Sequence, residues 1–209
     1  MPILYRVQAE VVDINFDAPL SSDGFFVDTN VWFWLHYTKA SQGSPPPHAY
    51  QVTTYPSYLA RARKAKAKIL HSGWTLAELA HQIERTEHAI WKRLNGNDIS
   101  LKEFRHTCND ERATVVEETV IAWEQIRAWS TITDCNVNQG LTDASLGRIQ
   151  LFCIDGYDAL LLGALRDAGI YQIITDDGDF TTVPHLQVFT ANKAALRSAE
   201  LQGKLARRR

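Results

Sequence analysis

Apolar residues along the chain follow two rhythms, and each predicts a different kind of element. Short unbroken runs within "FFVDTN", "IYQIIT" and "LQVFTA" are bounded by polar or turn-forming residues, as in strands buried on both faces. Residues 2–14 alternate more loosely and are rich in Val and Ile, which predicts a strand-like extension ahead of the loop "DAPLSSDG". A helical period governs "GWTLAELAHQIERTEHAIWKRLNGN". There Leu76, Leu79, Ile83, Ile90 and Leu94 share one stripe, and Asn95-Gly96 forms the stop. Val116, Val120, Trp123 and Ile126 repeat at helical spacing over about residues 111–129, which reads as core packing. "DGYDALLLGALRDAG" predicts a further helix closed by Gly169.

Helices that follow strands imply an α/β fold of three layers, with a mostly parallel central sheet flanked by helices. Pro45, Pro46 and Pro47 mark a non-helical insertion, after which "SYLARARKAKAKIL" reads as a helix from Pro56 onward. The expected organisation is one domain over residues 25–190, with the insertion and basic helix at about 40–72. Residues 1–24 form the extension, and residues 191–209 a helical basic tail.

At 209 residues, 45% of them hydrophobic and 22% charged, the chain matches a globular domain with a sizeable core. A net charge of -2 excludes a strongly basic protein that holds nucleic acid by bulk electrostatics. Cys108, Cys135 and Cys153 show no C-x-x-C spacing, so neither a zinc knuckle nor a disulfide framework is indicated and a reducing cytoplasm is expected. The N-terminal stretch lacks the basic head of a signal peptide, and no apolar run reaches membrane-spanning length.

Charge changes this picture at four places. Asp28 ends "FFV", Asp177 and Asp179 follow "QII", and Glu78 and Asp158 fall near helix starts. Each has a plain local explanation. Thr75-x-x-Glu78 fits a capping box, Asp155 and Asp158 fit a helix N-cap and first-turn acid, and the other two stretches fit turns. All four, however, lie on strand ends or helix starts, the elements that meet at the carboxyl edge of a parallel sheet. Carboxylates gathered there repel one another unless a cation joins them, and hard oxygen ligands select Mg²⁺ or Mn²⁺.

"FVDTNVW", "TLAEL", "YDALLLGAL" and "ITDDGDF", in that order, resemble the four acidic motifs of PIN-domain ribonucleases, the group that includes the VapC-like toxins of toxin–antitoxin pairs. The resemblance implies a PIN-like fold and a metal-dependent endoribonuclease. It makes Asp28, Glu78, Asp158 and Asp177 the catalytic and metal-binding carboxylates, with Asp179 as a further metal ligand, one or two Mg²⁺ or Mn²⁺ ions as cofactor, and Asn30 and Thr175 as supporting groups. The family pattern Thr-x-Asp-x-Asp-Phe passes over Asp176. It also implies a homodimer and an antitoxin protein as partners. Two features depart from the compact toxins: some two dozen residues precede the first motif, and the Pro-rich insertion lengthens the path from Asp28 to Glu78.

An acidic cleft repels RNA, so cations near its rim are expected to guide the phosphate backbone. Arg61, Arg63, Lys64, Lys66 and Lys68 are the candidates, with Lys92, Arg93 and the Arg207–Arg209 tail behind them. Trp32 and Trp34, close after Asp28, are candidates for a partner surface. A competing reading is a catalytically weak RNA- or protein-binding module on the same fold. An aspartyl-phosphate phosphatase would need a second Asp two residues after the first, where this chain has Asn30.

Overall fold

A computed structural model describes residues 3–208. The first two residues of the extension and Arg209 of the basic tail lie outside the described residues. In chain order the elements are β1 (Glu10–Asp13), β2 (Gly24–Val27), α1 (Thr29–His36), α2 (Ala49–Lys64), β3 (Lys68–His71), α3 (Gly73–Asn95), α4 (Leu101–Thr107), α5 (Asn109–Trp129), β4 (Thr131–Ile132), α6 (Gln139–Leu151), α7 (Gly156–Asp167), β5 (Gln172–Ile174), β6 (Gln187–Thr190), α8 (Lys193–Leu201) and β7 (Leu205–Ala206). Short 3₁₀ turns lie at Ala40–Gln42 and Gly178–Thr182.

The strands form one sheet in the order β4-β3-β2-β5-β6-β1-β7, and every pairing among the described residues is parallel. Side chains alternate across a strand, so an unbroken apolar run must be covered on both faces. Phe25, Val27, Ile69, Ile174 and Phe189 accordingly point into a core shared with α1, α2, α3, α4 and α5. Their neighbours Phe26, Leu70, Ile173 and Val188 pack on α7 from the opposite side. On that side α6 lies against α7, and α8 covers Val11 of β1. The result is a three-layer α/β/α fold.

Strand order fixes where a site can form. From β2 the chain moves outward to β3; from β5 it moves the other way, to β6. The two neighbours β2 and β5 therefore flank a topological switch point, where their carboxyl ends leave a crevice. Asp28 and Asp177 follow these two strands.

Several expectations change in detail. The N-terminal strand is Glu10–Asp13 and lies inside the sheet, bonded to β6 on one side and β7 on the other. The tail is helical only over α8, after which Leu205–Ala206 adds the strand that borders β1. The helix expected from Pro56 begins at Ala49 and ends at Lys64; Lys66 turns the chain with φ 62°, and Lys68 opens a strand. On α3 the buried face carries Thr75, Leu79, Ile83, Glu84, Thr86 and Glu87, while Leu76 and Leu94 are exposed. That face is tolerated because its carboxylates are paired. Tyr37 and Lys39 reach Glu87, and Arg105 and Arg112 reach Glu84. On α5 the buried residues are Val115, Ala122 and Ile126, so Val116 and Val120 face outward. Trp32 is fully buried and stacks on His36, which removes it from any partner surface. The stops at Gly96 (φ 66°) and Gly169 (φ 71°) are left-handed, as glycine permits.

Candidate acidic site at the carboxyl edge

Each acid is delivered by a different segment. Asp28 sits where β2 passes into α1, and its amide donates to Ile174 O of the neighbouring strand at 3.0 Å, so the two strand ends are locked side by side. Thr175, the fully buried residue after β5, donates its hydroxyl to Asp28 Oδ2 at 2.7 Å. The same hydroxyl accepts the amide of Asp177 at 2.9 Å. Thr175 therefore ties the first acidic stretch to the fourth. Asn30 Nδ2 approaches Asp28 Oδ2 at 3.4 Å, and its own Oδ1 accepts from Gln82 Nε2 at 2.9 Å.

Glu78 proves to have no capping duty. Ser72 is the N-cap of α3, and its amide donates to Thr75 Oγ1 at 3.2 Å. Glu78, one turn further on, accepts from Thr29 Oγ1 at 2.5 Å, which brings α3 to the residue after Asp28. At α7, Asp155 is the N-cap and accepts from the amide of Asp158 at 2.9 Å, so the side chain of Asp158 is left for the crevice. Asp177 caps the 3₁₀ turn through a 2.9 Å bond from the amide of Asp179.

Electrostatics shows which acids share one space. Burial pushes Asp28 up to about 7 against the pull of Thr175's hydrogen bond, and Glu78 and Asp177 push it further. Burial also raises Asp158, to about 8, with repulsion from Asp155, Asp28, Asp177 and Glu78. Asp177 and Asp179 are raised by burial, and each also feels Asp155. Asp28 and Asp158 thus each feel Glu78 and Asp177, and Asp179 feels Asp177. Asp155, which the sequence marks only as a cap, belongs to the same field. Its signal was the Asp-x-x-Asp spacing with Asp158.

Asp176 is engaged elsewhere. It accepts from Tyr50 at 3.0 Å, Gln51 at 2.5 Å and Tyr55 at 2.6 Å, which anchors the N-terminal half of α2 to the β5 loop. Tyr5 of the extension lies directly over Gly178, and its hydroxyl is raised by burial and by Asp179, Asp177 and Asp176. Neither arrangement has a local signature, because the partners lie more than a hundred residues apart.

The basic run lies away from the acids. α2 touches Asp176 through Gln51, and Lys64 is 13 residues further along, about 20 Å at the helical rise. Lys68 opens β3 at the amino edge of the sheet, whereas β3 reaches the carboxyl edge at His71. Arg61 donates to the carbonyls of Ile14 and Asp17, and Arg63 packs over Trp129. Arg63, Lys64, Lys66 and Lys68 are thus set at the opposite edge from Asp28. Arg208 is nearly enclosed between Asp17 and Asp23, at 2.5 and 2.6 Å, as a structural clamp.

The donor chemistry of the crevice fits a hard divalent cation: the acids are all carboxylates, half-buried, and two are forced well above their ordinary range. Among the described residues no group of three or more His, Cys, Asp or Glu side chains is already arranged to hold a metal ion. None of the described helices is long and apolar enough to cross a membrane.

No protein-family profile matches the sequence, and no curated protein matches it. Among solved structures, the crystal structure of PAE2754 from Pyrobaculum aerophilum aligns over 90% of this chain and 96% of that one, at 12% identity and a TM-score of 0.41.

Proposed function

We propose that the protein is a Mg²⁺- or Mn²⁺-dependent endoribonuclease of the PIN type. The observation that supports this reading is that Asp28, Glu78, Asp158 and Asp177 come from four segments near one switch point and repel one another there, with Thr175 bonded to Asp28 and Thr29 to Glu78. These four carboxylates, with Asp179, would hold the ion or ions. A bound divalent ion lowers the pKa of water and stabilises developing charge on phosphate oxygens. The chain's own part is to fix the carboxylates: Thr175 holds one oxygen of Asp28, and Asn30, itself held by Gln82, limits rotation of the same group. Protons displaced from Asp28 and Asp158 leave on metal binding, so loading is favoured as pH rises.

In this reading the substrate is RNA, the setting is cytoplasmic, and the toxin subclass adds a homodimer and a small antitoxin protein. Incubating the protein with a mixed RNA pool in Mg²⁺, Mn²⁺ or chelator, beside Asp28→Asn and Asp177→Asn, tests the central point. Metal-dependent cleavage lost in both variants is expected. RNA left intact in every lane while it binds tightly without metal would replace the reading with a binding module.

A further inference from the structure

A cleft of about 1100 Å³ opens beside the acids, between the Pro-rich insertion and α3. Its charge is opposite to theirs. Arg85, Lys92 and Arg93 line it, with His48 and His88, and no Asp or Glu does among the described residues. Lys92 is paired with Asp98, but Arg85 and Arg93 form no salt bridge among the described residues, and both are exposed.

Helical spacing joins this cleft to the acidic site. Glu78, Gln82, Arg85, Ala89 and Lys92 recur at intervals of four, three, four and three, which places them along one face of α3. Arg85 lies about 10 Å and Lys92 about 21 Å along the axis from Glu78. Asn30 and Gln82, the pair that steadies Asp28, also form the near wall of the cleft. The opposite wall is the insertion, Gly43 to His48, and the imidazole of His48 stacks on Tyr50 with ring centroids 5.9 Å apart. Half-buried Trp34 also lines the cleft.

We infer that this cleft holds the single-stranded RNA segment that flanks the scissile bond, with Arg85 and Arg93 on backbone phosphates and His48 and Trp34 against bases. The inference rests on the nuclease reading for its polarity: acids at one end of the α3 ridge, phosphate-binding cations along the rest. Cations interleaved with aromatic faces suit a single strand, whose bases are free to stack. The insertion, which departs from the compact toxins, becomes the outer wall of a substrate channel.

The test is fluorescence anisotropy of a labelled mixed-sequence RNA 12-mer in chelator across a salt series. It would compare the natural protein, Asp28→Asn, Arg85→Ala/Arg93→Ala and Arg85→Lys/Arg93→Lys, with cleavage in Mg²⁺ read separately. The double alanine variant should bind about tenfold more weakly, and its slope of log affinity against log salt should fall by roughly 1.4, about 0.7 for each phosphate no longer held. The double lysine variant should keep most of the slope, and Asp28→Asn should bind normally without cutting. An unchanged slope in the alanine variant would overturn the inference, as would tighter binding of a duplex or of polyglutamate than of the single strand. RNA left intact by the natural protein in Mg²⁺ would instead sink the nuclease reading and leave the binding result standing.

Discussion

Thr175 and Asp28, 147 residues apart in sequence, are joined by a 2.7 Å hydrogen bond that makes one hydroxyl the pivot between two strand ends. Replacing Thr175 with Val keeps the shape but frees the Asp28 carboxylate and strands the amide of Asp177. An unsatisfied buried donor costs about 1–3 kcal/mol. The expected outcome is a modest fall in unfolding free energy with a far larger loss of metal-dependent cleavage, read by urea titration beside initial rates over a Mg²⁺ series.

The raised carboxylates give the metal-free protein a defined pH dependence. Asp28 at about 7 and Asp158 at about 8 keep protons in the native state that the unfolded chain releases near pH ~4. Because the native state binds the extra protons, the contribution of these two groups is most favourable below about pH 4 and declines as pH rises to about 8. In chelator the Tm should drop over that window, and Asp28→Asn should flatten the drop. Mg²⁺ should raise the Tm more at pH ~8 than at pH ~5; equal shifts at both would contradict the coupled site.

Arg208 stands between two carboxylates that are almost wholly buried, Asp17 and Asp23, and Tyr58 donates to Asp17 as well. Removing one partner of a buried ion pair costs about 3–5 kcal/mol, because the remaining charge is left uncompensated. Arg208→Met is expected to lower the unfolding free energy, read by urea titration, by that order, without affecting RNA affinity in the folded protein.

At Gly178 an added Cβ would run into the Tyr5 ring. Gly178→Ala should destabilise by about 1–3 kcal/mol through overpacking. Combining it with Tyr5→Ala should recover part of that stability, and a double-mutant cycle with no coupling would show that the ring does not rest on the loop.

The basic run offers a contrasting control. Because Arg63, Lys64 and Lys66 lie near the amino edge, their triple alanine variant should retain the salt slope of RNA binding that Arg85→Ala/Arg93→Ala loses.

Much of the frame was legible because strand-end acids follow unbroken apolar runs: Asp28 after "FFV" and Asp177 after "QIIT" need only period and polarity to be placed. What escaped depends on partners far along the chain. The stripe on α3 pointed to Leu76 and Leu94, but Glu84 and Glu87 occupy the buried face because Arg105, Tyr37 and Lys39 meet them there. Lys68 belongs to a strand through its register with Gly24, which no local propensity reveals. Likewise the clamp at Arg208 joins residues 191 apart. Composition favoured the densest run of cations; the fold instead sets Arg85, Lys92 and Arg93 of α3 along the cleft beside the acids.

The adjacency of β2 and β5 also sets an order in time. During synthesis Asp28 and Glu78 are made before the strand that completes their crevice, which follows residue 171, and loops this long close late in folding. A growing chain therefore carries half an acidic centre beside the ribosome's own RNA without the other half. On the nuclease reading, the topology itself delays activity until β5 has been made and has paired with β2.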